Sequence, residues 1–307
     1  MDEAAEVVTL GETMVLFWPD EGASLERAAL FHRTIGGAES NLSIALARLG
    51  HRVRWVSRVG DDPFGRYLRV TLEHEGVQVD APPDLRAPTG LFFKERVASG
   101  PRQVLYYRRG SAASQLGPEQ VAALNFAGVR VLHLTGITPA LSASCAAAVA
   151  TAIRAARAAS VLVSFDPNVR LQLWESEQGC RRDLLALIAL ADLVLLGDED
   201  AAVLFPGLEE AAVLDAVRAL GPATAVLKLG ARGAIASAAG RVESVGAYPV
   251  VPVDTVGAGD GFDAGFIAGL LRGHDLRRCL QLGAWIGAAA VTSPGDWEGY
   301  PSTEPPS

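Results

Sequence analysis

The chain alternates between two kinds of hydrophobic pattern. Short apolar runs rich in valine, leucine and isoleucine are followed by longer segments in which apolar residues recur with helical spacing. Gly50, directly after the first of these longer segments, fits a glycine C-cap. The pattern predicts strands at 7–10, 53–59, 129–134, 161–165, 193–196 and 225–229, and helices at 40–49, 64–75, 143–159, 184–191 and 211–220.

The repeated strand–helix order predicts an α/β fold. Parallel strands need crossover connections, and the helices in those connections cover both faces of the sheet. We therefore expect a three-layer α/β/α core with a mostly parallel sheet, in which ligands bind beyond the carboxyl ends of the strands. We treat residues 1–307 as one domain and expect only the tail at 301–307 to be disordered.

Two segments, at 13–35 and 91–109, interrupt this order. Neither has helical periodicity, and 91–97 and 103–107 are typical of two strands joined by a turn at 99–101. Together the segments predict a small β-sheet that stands off the core as a lid. Because such strands would have exposed edges, we expect a second subunit to cover them in a homodimer or a higher oligomer.

Composition narrows the classes of function. The chain has 307 residues, of which 50% are hydrophobic and 20% charged, so it can bury a substantial core. A formal net charge of −8 without any basic run argues against nucleic-acid and anionic-membrane binding. The acidic N-terminus is unlike a signal peptide, and no apolar stretch is long enough to span a membrane. The widely spaced Cys145, Cys180 and Cys279 favour reduced thiols in a cytoplasmic protein.

Residues 253–262 carry the strongest chemical signal. Glycines at 257, 259 and 261 expose the backbone at the start of a predicted helix, where unpaired N–H groups and the helix dipole favour a bulky anion. Asp260 lies among these glycines. It either caps the helix or removes a proton from a nucleophile beside a bound phosphate, which would mean phosphoryl transfer to a hydroxyl. The segment alone does not decide between the two.

Two common nucleotide-binding motifs are absent from the sequence. Its two lysines, Lys94 and Lys228, lie outside any Walker-type loop. The 257–262 segment departs from the dinucleotide-binding pattern because Phe262 takes the place of the last glycine.

Other strand ends carry polar residues. Asp166, Asn168 and Arg170 leave the carboxyl end of a predicted strand, where α/β sites lie, although ordinary turn chemistry would also explain them. The segment 227–233 fits either a site loop or a hairpin turn. His133, inside an apolar strand, is expected to be a hydrogen-bonded core residue.

Several of these segments resemble one family. Residues 36–41 (Gly-Gly-Ala-Glu-Ser-Asn) and 254–260 (Asp-Thr-Val-Gly-Ala-Gly-Asp) resemble the two signatures of the ribokinase-like (PfkB) carbohydrate kinases, in the same order and at a matching separation. Residues 106–112, 166–170 and 295–301 resemble one branch of that family, the 2-keto-3-deoxygluconate kinases. The resemblance covers essentially the whole chain.

The resemblance implies a set of site residues. Asp260 would take the proton of the sugar hydroxyl, and the γ-phosphate would bind the backbone N–H groups of Gly257, Ala258, Gly259 and Asp260. The implied sugar contacts are Gly37, Asn41, Tyr106, Arg108 and Arg170. The implied ATP site includes Lys228, Gly230, Gly233 and Asn168. The helix N-terminus is expected to lower the pKa of Asp260, and a weak base suffices where the transition state is loose.

The chain also departs from the family pattern. Residues 197–200 (Gly-Asp-Glu-Asp) stand where the family has Asn-x-x-Glu, so Asp200 is the implied Mg²⁺ ligand, acting through water. A monovalent cation is a further candidate cofactor. Phe92 replaces a tyrosine that some members use to bind the substrate, and Asp263 adds a carboxylate that the helix dipole alone would explain.

The substrate prediction depends on charge. Arginine suits a carboxylate, so Arg108 and Arg170 favour a sugar acid over a neutral sugar. We expect ATP- and Mg²⁺-dependent phosphorylation of 2-keto-3-deoxygluconate at its terminal hydroxyl, which gives 2-keto-3-deoxy-6-phosphogluconate. The alternatives are a kinase of the galactonate epimer, of fructose or of ribose, and a regulatory protein that binds a sugar acid without turnover. The sequence leaves the epimer and the nucleotide preference open.

Overall fold

The computed structural model of the chain describes residues 4–20, 23–95 and 103–304. Its strands are β1 (Val7–Leu10), β2 (Met14–Pro19), β3 (Phe31–Gly36), β4 (Val53–Val56), β5 (Val59–Gly60), β6 (Gln78–Asp80), β7 (Pro83–Asp84), β8 (Leu91–Glu95), β9 (Gln103–Tyr107), β10 (Val131–Thr135), β11 (Leu162–Asp166), β12 (Leu193–Gly197), β13 (Thr224–Lys228), β14 (Ala234–Ala238) and β15 (Arg241–Val245). Its α-helices are α1 (Ala38–Arg48), α2 (Pro63–His74), α3 (Pro118–Ala122), α4 (Ile137–Leu141), α5 (Ala143–Ala158), α6 (Glu177–Ile188), α7 (Asp198–Leu204), α8 (Glu210–Ala219), α9 (Ala258–Leu271) and α10 (Leu276–Ala290).

The main sheet confirms the predicted α/β fold. Its strand order is β15-β14-β13-β12-β11-β10-β1-β4-β6, and every pair from β13 to β6 is parallel. The helix predicted at 184–191 begins earlier, at Glu177, because the Ser176 hydroxyl caps it by accepting a hydrogen bond from the Gly179 N–H at 3.1 Å. The strand predicted at 53–59 ends at Val56, since Val59 belongs to β5 and pairs with β7.

The antiparallel edge formed by β14 and β15 was not predicted. Residues 234–238 read Ala-Ile-Ala-Ser-Ala, and alanine and serine have low strand propensity. These strands nevertheless continue the sheet because β14 pairs with β13 along its whole length. The 227–233 segment therefore connects β13 to β14 as a hairpin, which was one of the two interpretations of this segment.

Strand residues alternate between two cores, one on each face of the main sheet. Val7 and Leu195 face a core that α1, α2, α9 and α10 complete, while their neighbours Val8 and Leu196 face a second core built with α5, α6 and α8. Successive side chains of a strand point to opposite faces, so a sheet buried on both sides needs apolar residues at nearly every position.

The predicted lid is a separate sheet with the strand order β3-β2-β8-β9. The pairs β2–β3 and β8–β9 are antiparallel, and β2–β8 is parallel. Strands β2, β8 and β9 fall inside the two predicted lid segments, and β3 extends one residue beyond the first of them, to Gly36. The turn predicted at 99–101 lies outside the described residues. The edge strands of this sheet within the described chain are β3 and β9.

The beginning of the C-terminal tail differs from its predicted disorder. Residues 301–304 contact the fold, because the Glu304 carboxylate lies 2.5 Å from an Arg272 nitrogen and 2.6 Å from an Arg278 nitrogen. Residues 305–307 lie outside the described residues. All three cysteines are buried and unpaired, as predicted. No helix in the described part of the chain has the length and apolar character needed to cross a membrane.

Candidate active site

A cleft of about 940 Å³ lies between the lid and the carboxyl ends of the main-sheet strands. Among the described residues, its lid wall includes Met14, Phe92, Lys94, Val104, Tyr106 and Arg108. Its floor includes Gly37, Glu39, Asn41, Asp166, Asn168, Arg170, Lys228, Gly230, Gly257, Gly259 and Asp260. This is the place where the α/β pattern predicts a ligand.

The cleft floor contains the start of α9. The first helical hydrogen bond runs from the Gly261 N–H to the Gly257 carbonyl at 2.9 Å, so the preceding N–H groups have no helical acceptor. Gly257, with a φ of +81°, is the N-cap residue of α9, so no side chain caps this helix. The helix-cap interpretation of Asp260 is therefore wrong. The first turn of α9 thus has N–H groups that are free to bind an anion, and the Asp260 carboxylate lies in the same turn.

Asp260 faces the cleft, and a side chain of α1 holds its carboxylate by a hydrogen bond. Its Oδ2 accepts a hydrogen bond from Asn41 Nδ2 at 2.8 Å. Burial raises the pKa of Asp260, and the Asn41 hydrogen bond offsets this rise only in part. The expected lowering of the Asp260 pKa by the helix N-terminus is wrong, because desolvation exceeds it. A raised pKa makes the ionised Asp260 a stronger base than we predicted.

Lys228 lies behind this turn and is paired with two carboxylates. Its Nζ is 2.9 Å from Asp166 Oδ2 and 2.9 Å from Asp263 Oδ1. Burial alone would lower the pKa of Lys228, but the charges of Asp166 and Asp263 raise it well above its ordinary value. Asp263 therefore has a better explanation than the helix dipole, because it is a buried partner of Lys228. We call residues 257–260, at the start of α9, the phosphate turn. A Cβ placed on Gly259 would be 3.6 Å from Nζ, so the ammonium lies close to this turn.

Three of the four residues predicted for the nucleotide, Lys228, Gly230 and Asn168, line the cleft, and Gly233 is the exception. Gly230 lines the cleft, and Asn168 is buried there with a φ of +37° while its N–H donates to Asp166 Oδ1 at 2.9 Å. Gly233 belongs to the turn into β14, where a Cβ would meet the Val245 carbonyl at 2.0 Å. Among the described residues, Gly233 is not part of the cleft wall, so its glycine is explained by the turn.

Asp200 already has two partners. Its Oδ1 accepts from the Val169 N–H at 2.7 Å, and its Oδ2 accepts from the Gly197 N–H at 2.8 Å, which caps α7. Burial raises the pKa of Asp200, with a further rise from Asp166. In the part of the chain that the structure describes, no group of three or more His, Cys, Asp or Glu side chains could hold a metal ion. Glu199, which we did not predict, stands beside Asp200 on the cleft wall.

All five predicted sugar contacts line the cleft. Gly37 lies so close to the Glu12 carbonyl that a Cβ would approach it to 2.3 Å. Asn41 Oδ1 is buried and has no hydrogen-bond partner among the described residues. Tyr106 stacks on Phe92 with ring centroids 5.7 Å apart.

The two predicted arginines differ in their surroundings. Arg108 Nε donates to Glu12 Oε2 at 2.7 Å, so a buried carboxylate already balances its charge. Arg170 is exposed at the cleft, and its Nη1 donates to the Val169 carbonyl at 2.9 Å. Within the described residues, Arg170 forms no ion pair. Arg170 is therefore the better placed of the two to attract an anionic substrate.

Several charged groups of the site were not predicted from the sequence, and three of them are the buried Lys94, Glu12 and Glu39. Lys94 is buried in lid strand β8, forms an ion pair with Asp296 and lies 3.9 Å from Asp254 Oδ2. Residues two apart in a strand face the same side, so Lys94 lies on the buried side of β8 together with Phe92. This strand pattern could have revealed Lys94 as a site residue. Glu12 and Glu39 are also buried at the cleft. His133, as predicted, is a core residue, and it lies 3.0 Å from the Ser164 hydroxyl.

Comparison with known proteins identifies the family. Residues 4–303 match the pfkB family carbohydrate kinases. A Bacillus subtilis relative named 2-dehydro-3-deoxygluconokinase is 37% identical over 306 residues, covering 97% of this chain and 93% of the relative. The chain belongs to the pfkB family, and it is a carbohydrate kinase, as the sequence predicted.

Two solved structures extend the comparison. The Thermotoga maritima 2-dehydro-3-deoxygluconokinase structure has a TM-score of 0.89 at 26% identity and covers 98% of this chain and 96% of its own. An Escherichia coli structure described as a putative ribokinase II in complex with ATP and Mg²⁺ has a TM-score of 0.88 at 26% identity, covering 97% and 96% of the two chains. The ribokinase-like fold predicted from the sequence is confirmed.

Glu39 generates a prediction about stability and pH. Burial raises its pKa from 4.5 to about 7, although the Thr135 and Thr138 hydroxyls donate to its Oε1 at 2.7 and 2.8 Å. The folded state therefore holds this proton more tightly than the unfolded state. The stability that this carboxyl contributes is full below pH 4.5 and is lost as the pH rises through about 7.

Glu39→Gln, which resembles the protonated acid, should remove this loss. At pH 8 the variant should be more stable than the parent by about 3 kcal/mol in the free energy of unfolding, and near pH 4 the difference should vanish. Urea unfolding at several pH values measures it, with exposed Glu175→Gln as the matched control. A difference that does not change with pH would contradict the prediction.

Proposed function

We propose that the protein transfers the γ-phosphate of ATP to the terminal hydroxyl of 2-keto-3-deoxygluconate, giving 2-keto-3-deoxy-6-phosphogluconate. The observation that carries this proposal is the carboxylate of Asp260 beside the unpaired N–H groups at the start of α9, both facing one cleft. The printed names of the Bacillus subtilis and Thermotoga maritima proteins support the choice of substrate.

The proposed reaction uses few covalent steps. Asp260 takes the proton of the terminal hydroxyl, the hydroxyl oxygen bonds to the γ-phosphorus, and the bond to the β-phosphate bridging oxygen breaks to release ADP. Such transfers depend mainly on positioning and on stabilising charge. The N–H groups of residues 257–260 would donate hydrogen bonds to the γ-phosphoryl oxygens and stabilise the charge that develops on them. Asn41 would hold Asp260 in position through its hydrogen bond.

The carboxylates on the cleft wall fit a Mg²⁺ ion that is held largely by ATP. Mg²⁺ prefers oxygen ligands and keeps several waters, and Glu199 and Asp200 offer carboxylates on the cleft wall without forming a closed cage. These two residues would hold it through water, and the ion would neutralise charge on the phosphates. A requirement for a monovalent cation is tested by exchanging potassium for choline in the same assay.

The choice of a sugar acid depends on Arg170. An acid needs a cation that is not already neutralised, and Arg170 meets this condition, while Arg108 is balanced by Glu12. Arg108 and Tyr106 would then form the wall against which the carboxylate end of the substrate rests. Kinases of the galactonate epimer and of neutral sugars are the competing assignments, and a panel of substrates separates them.

Asp260→Asn tests the proposed base. The variant keeps the shape of the side chain and removes its basicity, so kcat for 2-keto-3-deoxygluconate should fall by about 10²- to 10⁴-fold. A coupled assay of ADP release over keto-deoxy acids and neutral sugars measures it, with exposed Asp61→Asn as the matched control. Substantial activity in Asp260→Asn would contradict its role, and an inactive parent that binds the acid would favour the regulatory alternative.

Arg170→Ala tests the recognition of the acid. Losing a charge-assisted hydrogen bond is worth about 1.5–3 kcal/mol, so KM for the acid should rise by about 10- to 100-fold. Activity on any neutral sugar that the parent accepts should stay within about twofold, because no carboxylate is involved. Exposed Arg154→Ala serves as the control. An equal effect on acids and neutral sugars would contradict the assignment.

We also propose that the protein forms a homodimer or a higher homo-oligomer through the lid. Edge strand β9 leaves Leu105 39% and Tyr107 64% exposed, and Phe31 on edge strand β3 is 39% exposed. An exposed apolar edge strand is a template for pairing with another chain. Light scattering should give at least twice the mass of one chain. Leu105→Asp should reduce this mass, whereas Leu85→Asp, exposed outside the lid, should not. A strictly monomeric parent at working concentration would refute the dimer.

A further inference from the structure

One segment connects the lid to the phosphate turn. We call residues 295–300, which follow α10, the C-terminal strap. The strap contacts lid strands β3 and β8, helix α1 and the start of α9. All of these contacts lie among the described residues, and most of the side chains involved are buried.

The strap is bound to the lid at three points. Asp296 pairs with Lys94 of β8, and both side chains are buried. Trp297 Nε1 donates to the Ile35 carbonyl of β3 at 3.1 Å. The Thr34 hydroxyl donates to Glu298 Oε1 at 2.5 Å.

Helix α1 fixes the strap backbone from one side. Arg48 Nη1 donates to the carbonyls of Trp297, Glu298 and Tyr300 at 3.3, 3.4 and 2.8 Å. The Arg48 guanidinium also lies over the Trp297 ring, 5.1 Å from its centroid. The strap is thus held in one conformation rather than resting loosely on the surface.

The other side of the strap meets the phosphate turn directly. The Tyr300 hydroxyl donates to the Gly257 carbonyl at 2.7 Å. The Asp296 carbonyl fills the place of a side chain at Gly257, since a Cβ there would be only 1.8 Å away. The Tyr300 ring also packs against Gly261, where a Cβ would meet its Cε1 at 2.7 Å.

The geometry of the peptide group links the Tyr300–Gly257 hydrogen bond to the direction of the next N–H group, that of Ala258. The Gly257 carbonyl and the Ala258 N–H belong to one planar peptide unit and point in opposite directions. A hydrogen bond that fixes the carbonyl therefore fixes the direction of the Ala258 N–H. That carbonyl accepts from both Tyr300 and the Gly261 N–H, so two donors hold the plane of the unit.

We propose that Tyr300 is a positioning residue, which aims the Ala258 N–H at the transferred phosphate by holding the Gly257 carbonyl. This inference rests on the proposed kinase function and deepens it. Burial raises the pKa of Tyr300 well above its ordinary value, so its hydroxyl remains a donor at every working pH. Because the strap also binds the lid, the sugar-binding wall and the phosphate turn share one support.

Tyr300→Phe tests the proposal, because it keeps the ring and removes only the hydroxyl. A misaimed donor affects the transition state more than the bound sugar, so kcat should fall by about 10- to 100-fold. KM for the sugar should stay within about twofold. Tyr67→Phe is the matched control, since the Tyr67 hydroxyl also lies near a backbone carbonyl, that of Arg33 at 3.5 Å, away from the phosphate turn.

The outcomes separate this inference from the proposed function. A parent enzyme that phosphorylates no sugar acid and no neutral sugar overturns the proposed function. An active parent with an unchanged kcat in Tyr300→Phe overturns the inference alone. A variant that melts below the assay temperature, or whose kcat and KM worsen together, assigns Tyr300 to stability and also overturns the inference. A lower kcat at unchanged KM and unchanged melting temperature supports it.

Discussion

The buried ammonium of Lys228 fixes the relative positions of three elements of the site. It ends strand β13, and its partners Asp166 and Asp263 lie at the end of β11 and in the first part of α9. Removing an ion from water is expensive, and a buried ammonium left without its carboxylate partners would destabilise the fold by about 3–5 kcal/mol. The ends of β11 and β13 and the start of α9 are therefore held close together. The N–H groups of α9 consequently face the same cleft as the strand ends.

Close backbone packing imposes a second constraint on this site. Gly37 approaches the Glu12 carbonyl, and Gly257 approaches the Asp296 carbonyl, at distances that a Cβ would make impossible. The first contact brings the first signature against the end of β1, and the second seats the phosphate turn on the strap. The glycines of the two signatures thus serve packing between backbone segments as well as access for an anion.

Much of the fold follows from the hydrophobic pattern, because a sheet buried on both faces leaves little choice of residues along its strands. The pattern failed at β14, where alanines replace β-branched residues and pairing with β13 decides the structure. The position of Asp260 near the start of a helix was predictable, whereas its raised pKa was not, since that rise comes from burial in the folded chain. The roles of Asp263 and Lys94 depend on partners distant in the sequence, Lys228 and Asp296, which no local spacing reveals.

In the proposed reaction, Asp260 and the start of α9 act together on one hydroxyl and one phosphate. A crystal structure with a non-hydrolysable ATP analogue, Mg²⁺ and 2-keto-3-deoxygluconate tests it most directly. We expect the terminal hydroxyl to lie within about 2.6–3.2 Å of an Asp260 carboxylate oxygen and the γ-phosphate to lie against the N–H groups of residues 257–260. A γ-phosphate bound away from this turn, or a hydroxyl facing a different carboxylate such as Glu39, would contradict it.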